Sequence, residues 1–184
     1  MTRWYEDIVV GEPHGLGSHS FAEEEMIRFA QRYDPQIFHT DSDAATHTVF
    51  GGLVASNWHI ASIGQRKMVD ALFDEEERLR SLGQEPGVSG PSPGINIMQF
   101  ETPVRPGDTV SYTLTVTGKR VSNSILGWGL LFNAIEAVNQ HGNLVYRGEL
   151  VGFSKRREYR MSIKLRVLKT LTRLPLLRNF VAPK

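Results

Sequence analysis

From Asn96 onward the chain abandons a helical period and begins to alternate, and that change limits the folds open to it. Val110-Ser111-Tyr112-Thr113-Leu114-Thr115-Val116 places an apolar residue at every second position, as a strand with one buried face does. Asn96–Glu101 reads as an earlier strand, and Ile125–Val138 and Leu144–Phe153 as later ones joined at His141-Gly142-Asn143. In Arg105-Pro106-Gly107-Asp108 the Pro and Gly occupy the central positions of a type II turn. Before Asn96 the pattern is helical. Residues 6–19 read as an opening loop with one short strand. Met26, Ile27, Phe29, Ala30 and Tyr33 then give one apolar face, predicting a helix over 22–33. Ser20-Phe21-Ala22-Glu23 has capping-box spacing at its start, and Glu23, Glu24 and Glu25 stand where the helix dipole favours acids. Asp41–Ala45 suggests one more short turn. Leu53, Val54, Ala55, Trp58, Ile60, Ala61, Ile63, Met68, Val69, Leu72 and Phe73 are apolar on more than one side, which predicts a helix over 52–73 buried in the core. A loop over Gly83–Gly94, with four glycines and three prolines, follows. Helices succeeded by consecutive antiparallel strands predict an α+β fold, with the sheet wrapped around the second helix.

The 184 residues suit one domain with an appendage, and the absence of Cys excludes disulfides, thiolate metal sites and a cysteine nucleophile. The start of the chain does not read as a signal peptide, and no apolar run approaches a membrane span, so a cytoplasmic location is expected. The net charge of +1 conceals an asymmetry: from Lys155 to Lys184 there are ten Lys/Arg and one acid. We therefore divide the chain into a domain over 1–157 and a basic extension over 158–184. The acidic body excludes a nucleic-acid-binding role. In the extension, Ile163, Val167, Leu171 and Leu174 fall at helical spacing, although alternation over 159–167 also suits a strand. Docking of this segment on the body is preferred over contact with an anionic membrane surface.

The stretch Tyr33-Asp34-Pro35-Gln36-Ile37-Phe38-His39 concentrates the chemistry. Pro35 lacks an N–H and biases Asp34 away from the helical region, so the helix stops there. A carboxylate and an imidazole leaving that bend can converge on one water, between an acceptor and a group that titrates near neutrality. The same spacing also suits a turn-capping Asp34 and a surface His39. Gly51 and Gly52 are candidate backbone donors to a ligand oxygen, or a plain tight turn. His59 reads as a hydrogen-bonded core histidine. His14, His19, His47 and His141 show no metal spacing, and no metal is assigned. There is no nucleophile elbow, and Gly15-Leu16-Gly17 lacks the third glycine of a dinucleotide fingerprint, so no cofactor is expected.

Four stretches together resemble the MaoC-like dehydratase family, a branch of the hot-dog fold that includes (R)-specific enoyl-CoA hydratases. They are Phe29-Ala30 leading into Asp34 and His39; Phe50-Gly51-Gly52-Leu53-Val54-Ala55-Ser56; Phe100 with Pro103-Val104-Arg105-Pro106-Gly107-Asp108; and the final long strands. The resemblance covers roughly residues 6–157. It implies reversible hydration of a trans-2-enoyl-CoA, with Asp34 and His39 catalytic and Gly51, Gly52 and Ser56 lining the substrate site. Ser56 matches a serine near the family's pocket, though on sequence alone it serves equally as a small residue allowing close approach. The family usually reads Asp-x-Asn-Pro-x-His and enters the buried helix through His-Gly. Here Gln36 replaces the Asn, Ile37 the Pro and Phe50 the His. Gln36 retains an amide able to brace the loop, whereas Phe50 loses whatever the histidine donated. A hot-dog thioesterase and a non-catalytic acyl-thioester or subunit-binding module are the alternatives. A homodimer or larger assembly is expected, because one curved sheet over one helix leaves an edge strand and an apolar flank uncovered.

Overall fold

The computed structural model describes residues 3–157, so the extension at 158–184 and its expected docking lie outside the described residues. A 3₁₀ turn at Tyr5–Asp7 leads into β1 (Pro13–Ser20), then α1 (Glu23–Tyr33), α2 (Ile37–Thr40), α3 (Ser42–Ala45) and the long α4 (Asn57–Ser81). Four strands follow: β2 (Gly94–Phe100), β3 (Thr109–Val121), β4 (Trp128–Asn139) and β5 (Leu144–Lys155). They form one antiparallel sheet in the order β1-β3-β4-β5-β2. The meander expected from the alternation is β3-β4-β5, with β1 and β2 as its edges. Each strand pair contains a register shift, such as that between Val116 and Gly118, and such irregularities bend a sheet.

The period of two in β3 decides which face meets the helix. Val110, Tyr112, Leu114 and Val116 are buried, and Tyr112 and Leu114 stand opposite Ala137 and Ile135 of β4. Phe21, Met26, Ile60 and Val145 complete the centre of the core. Side chains of this size contribute about 1.5–3 kcal/mol each when fully buried, so this cluster dominates the fold's stability. The Tyr112 hydroxyl donates to the Ile60 carbonyl at 3.1 Å, and its ring lies so close to Gly64 that a Cβ there would stand 3.1 Å from it. Glycine in α4 thus lets helix and sheet approach. Further along, Met68, Val69 and Leu72 face Leu114, Leu131 and Leu150 across an apolar cavity of about 240 Å³.

Three expectations are corrected. The second helix runs over Asn57–Ser81 rather than 52–73. Gly51 and Gly52 have φ of 61° and 154°, and the backbone N–H groups of Val54 and Ala55 donate to Phe38 and Val104 instead of winding into a helix. At its far end the charged stretch continues the helix, because Arg78 pairs with Glu75 and Arg80 with Glu76 across one turn. Nor is α4 buried all round: Trp58 is 58% and Phe73 64% exposed, so its apolar surface is wider than one sheet face covers. Finally, the Ser20 capping box does not form. Ser20 ends β1 with its hydroxyl on Thr109, Ala22 occupies the N-cap of α1, and Glu23 accepts from the Ser42 hydroxyl. Strand pairing with Thr109 outcompetes the local cap. No helix among the described residues is long and apolar enough to cross a membrane.

Candidate active site

The end of α1 sets the site. Asp34 N–H makes the last helical bond, to Ala30 at 2.8 Å, after which Asp34 turns out of the helix with φ −155° and ψ 66°. Pro35 enforces that exit, having no N–H to continue the ladder. The chain then winds the single turn of α2, and this carries the His39 ring back toward the helix end. Opposite them, the extended Leu53-Val54-Ala55 segment reaches Ser56, which caps α4 by accepting from Trp58 N–H at 3.2 Å.

These pieces bring Asp34, His39 and Ser56 together. Ser56 is fully buried and its hydroxyl donates to Asp34 Oδ2 at 2.7 Å. The Gln36 side-chain amide donates to Asp34 Oδ1 at 2.8 Å, so the residue that departs from the family's asparagine does brace the loop. His39 is buried, with Nδ1 2.8 Å from the Val54 carbonyl and Nε2 3.4 Å from Asp34 Oδ2. A carbonyl only accepts, so Nδ1 carries the proton, and in the neutral ring Nε2 presents its lone pair. Two acceptors, Nε2 and Oδ2, therefore face one small volume. Water, a two-fold donor, suits such a pair.

Electrostatics fixes the state of the carboxylate. Burial acts to raise the Asp34 pKa, but the hydrogen bonds from Gln36 and Ser56, with the neighbouring His39, outweigh it and hold Asp34 below its ordinary value. Asp34 is ionised at neutral pH. The cleft around the pair, about 490 Å³, is walled by Phe38, Phe50, Val54, Ala55, Trp58 and Phe100 and edged by Glu101 and Thr102. Phe50, standing where the family has histidine, packs on Phe38 with ring centroids 5.0 Å apart and contributes only apolar wall.

Gly51 and Gly52 are not where the sequence reading put them. Neither lines this cleft, and the Gly51 N–H is committed to the Thr48 carbonyl at 3.0 Å. The glycines make the tight turn that precedes the extended segment, and their positive φ explains their residue type. Asn57, which lines the cleft, is the first residue of α4, where no preceding carbonyl of the helix can accept from its N–H. The helix begins five residues later than its apolar run suggests, and its N-terminus moves with it.

His59 is the core histidine expected, 3% exposed and stacked on Phe29 with centroids 4.4 Å apart. Its Nε2 lies 3.3 Å from Glu25 Oε1, while its buried Nδ1 has no hydrogen-bond partner. Burial lowers its pKa, against the opposing pull of Glu25. Glu25 also reaches His19, whose Nε2 is 3.1 Å from Oε2. The sequence offers no signal for this grouping: the three residues come from β1, α1 and α4 and follow no ligand spacing. The Val54 carbonyl that sets the His39 tautomer was equally invisible, because any residue type supplies it.

With this geometry in hand, comparison with known proteins adds the family context. A family model described as "MaoC like domain" matches residues 9–127. The crystal structure of the MaoC-like dehydratase from Rhodospirillum rubrum is 28% identical and superposes with a TM-score of 0.67, over 84% of this chain and 97% of that one. The unliganded R-hydratase PhaJ1 from Pseudomonas aeruginosa, at 21% identity and a TM-score of 0.60, shares the fold over 84% of this chain and 86% of its own. An uncharacterized protein, YdeM, from Bacillus subtilis is 26% identical over 151 residues, 82% of this chain and 98% of that protein. The five-stranded antiparallel sheet over one long helix is the hot-dog fold of these structures.

Proposed function

Because this chain belongs to the MaoC-like domain family, we propose that it is a hydro-lyase adding water reversibly across the double bond of a trans-2-enoyl thioester, in the first instance a coenzyme A ester. The observation that carries this reading is the His39 tautomer. With Nδ1–H donated to the Val54 carbonyl, the neutral ring offers Nε2 as a base 3.4 Å from an ionised carboxylate, in a cleft lined by polar and apolar side chains alike. The solved structures named for dehydration and hydration share this fold and support the reaction class.

In this mechanism the water donates one hydrogen bond to Asp34 Oδ2 and the other to His39 Nε2. Nε2 takes that proton as the water oxygen bonds to C3 of the enoyl group, and the C2–C3 electron pair moves toward the thioester carbonyl. The enolate oxygen so formed accepts from Asn57 N–H, a fixed donor at the positive end of α4. Imidazolium His39 then returns its proton to C2, restoring the neutral base. Asp34, held by Gln36 and Ser56, orients the water and stabilises the imidazolium. Ser56 is a positioning residue acting through Asp34.

The test is one assay with two readouts. Crotonyl-CoA is followed by the absorbance of its conjugated thioester while a thiol reagent reports free coenzyme A. Hydration removes the absorbance and releases no thiol. Thiol release would establish a thioesterase instead, and binding without either signal a non-catalytic module. Asp34→Asn and His39→Ala are each expected to lower turnover by at least ~10²-fold with the fold retained. Full activity in both variants defeats the mechanism.

A further inference from the structure

A second cluster of titratable side chains, none of which lines the cleft, takes no part in the hydration chemistry. Its members are His19, next to last in β1, Glu25 in the first turn of α1 and His59 in the first turn of α4. Glu25 presents one carboxylate oxygen to each ring: Oε2 is 3.1 Å from His19 Nε2, and Oε1 is 3.3 Å from His59 Nε2. One ligand atom from each residue lies within 4.8 Å of the others.

We propose that His19, Glu25 and His59 form a binding site for one divalent transition-metal ion of the zinc class, joining β1, α1 and α4. Zinc takes imidazole nitrogens and carboxylate oxygens at about 2.0–2.2 Å, which places neighbouring tetrahedral ligands about 3.3 Å apart. Each ring nitrogen already lies against one carboxylate oxygen, at 3.1 and 3.3 Å, and one ligand atom from each residue falls within 4.8 Å of the others, so side-chain adjustment alone would bring three ligands onto one ion. Two imidazoles with one carboxylate, and no thiolate, suit zinc, cobalt or nickel above calcium or magnesium. His19 and Glu25 are about a quarter exposed, leaving an approach for the ion and a fourth position for water, whereas His59 anchors the set from the core.

The surroundings favour the ligand state and also limit affinity. Burial keeps His59 neutral, the form that binds a cation, and the Phe29 and Phe21 rings hold its plane at 4.4 and 5.1 Å between centroids. Two features act against tight binding. Arg28 adds positive potential at His59, and the buried Nδ1 has no acceptor to orient the ring as metal-bound histidines ordinarily have. Exchangeable rather than permanent binding follows.

The test uses the full chain, free of any affinity tag and stripped with a chelator, titrated first with Co²⁺ and then with Zn²⁺. One Co²⁺ per chain is expected, with the ligand-field absorption of a low-coordinate nitrogen–oxygen site, bleached by one equivalent of Zn²⁺. His59 is buried, so the variants are made at the two partly exposed ligands. His19→Ala and Glu25→Gln should each weaken binding by at least about tenfold. Zn²⁺ should raise the melting temperature of the parent chain and not of the variants. Absence of saturable one-to-one binding, or affinities unchanged in both variants, overturns the proposal. Neither readout depends on turnover, so failure here leaves the hydration reading untouched, and failure of that reading leaves this one standing.

Discussion

The Ser56 hydroxyl donates to Asp34 Oδ2 at 2.7 Å, joining the residue that ends α1 to the residue that caps α4. One oxygen atom therefore does two tasks, since it also accepts from Trp58 N–H. The position of the carboxylate and the start of the long helix are not independent.

Ser56→Ala should accordingly act on both. Loss of an N-cap and of a hydrogen bond to a partly buried charge together cost about 1–3 kcal/mol, measured by urea denaturation. Asp34 should also protonate at higher pH, because one of the donors that hold its pKa down is gone. A carboxyl-carbon NMR titration reads this directly. An unchanged titration would show that Ser56 merely fills space.

Gly64→Ala pits helix propensity against packing. Alanine in a helix gains about 1 kcal/mol over glycine, but overpacking costs about 1–3 kcal/mol. The new Cβ would stand 3.1 and 3.2 Å from the Tyr112 ring, which is itself tied to the Ile60 carbonyl and cannot swing away. The expected outcome is a net loss of about 1 kcal/mol, read from the denaturation midpoint. A stabilised variant would mean that the Tyr112 ring shifts freely.

Acid should weaken the metal-free protein from the upper end of the histidine range. Burial depresses the pKa of His59 below its ordinary 6.5, so the unfolded chain takes up a proton at higher pH than the folded one. Stability therefore is full above 6.5 and falls as pH drops from there toward the folded value. Glu25 opposes the depression, so Glu25→Gln should carry the loss on to lower pH, below 6.5, than in the parent. Denaturation midpoints at several pH values check it. A flatter profile in the variant would contradict the assignment.

Light scattering at roughly micromolar concentration should give a dimer or larger. Edge strand β2 leaves Ile95 50% and Ile97 38% exposed, and α4 presents Trp58 and Phe73 to solvent. Pairing of two copies removes an open sheet edge and apolar surface together. A monomer would contradict this expectation.

The sequence by itself determined the parts whose signal is local. Alternation at Val110–Val116 required a half-buried strand, the apolar face at Met26–Tyr33 a helix, and Pro35 the end of that helix at Asp34. Each depends on neighbours within a turn or two, and each stands in the structure. The pairing of Asp34 with His39 was legible for the same reason, because five residues bridged by one turn of α2 bring the two groups back together. Where local signals competed with distant partners, tertiary structure decided. Ser20 has the spacing of a cap but pairs with Thr109, 89 residues away. Leu53, Val54 and Ala55 have helical hydrophobicity, yet lie extended because Phe38 and Val104 offer carbonyls to their backbone. Gly51 was read as a donor to substrate, and its N–H is spent on Thr48. The His39 tautomer depends on a backbone carbonyl 15 residues on, and the Glu25 cluster on residues 6 and 34 positions away. Periodicity records which face of an element is apolar. Which polar atom across the core that face will meet is a property of the assembled sheet and helix.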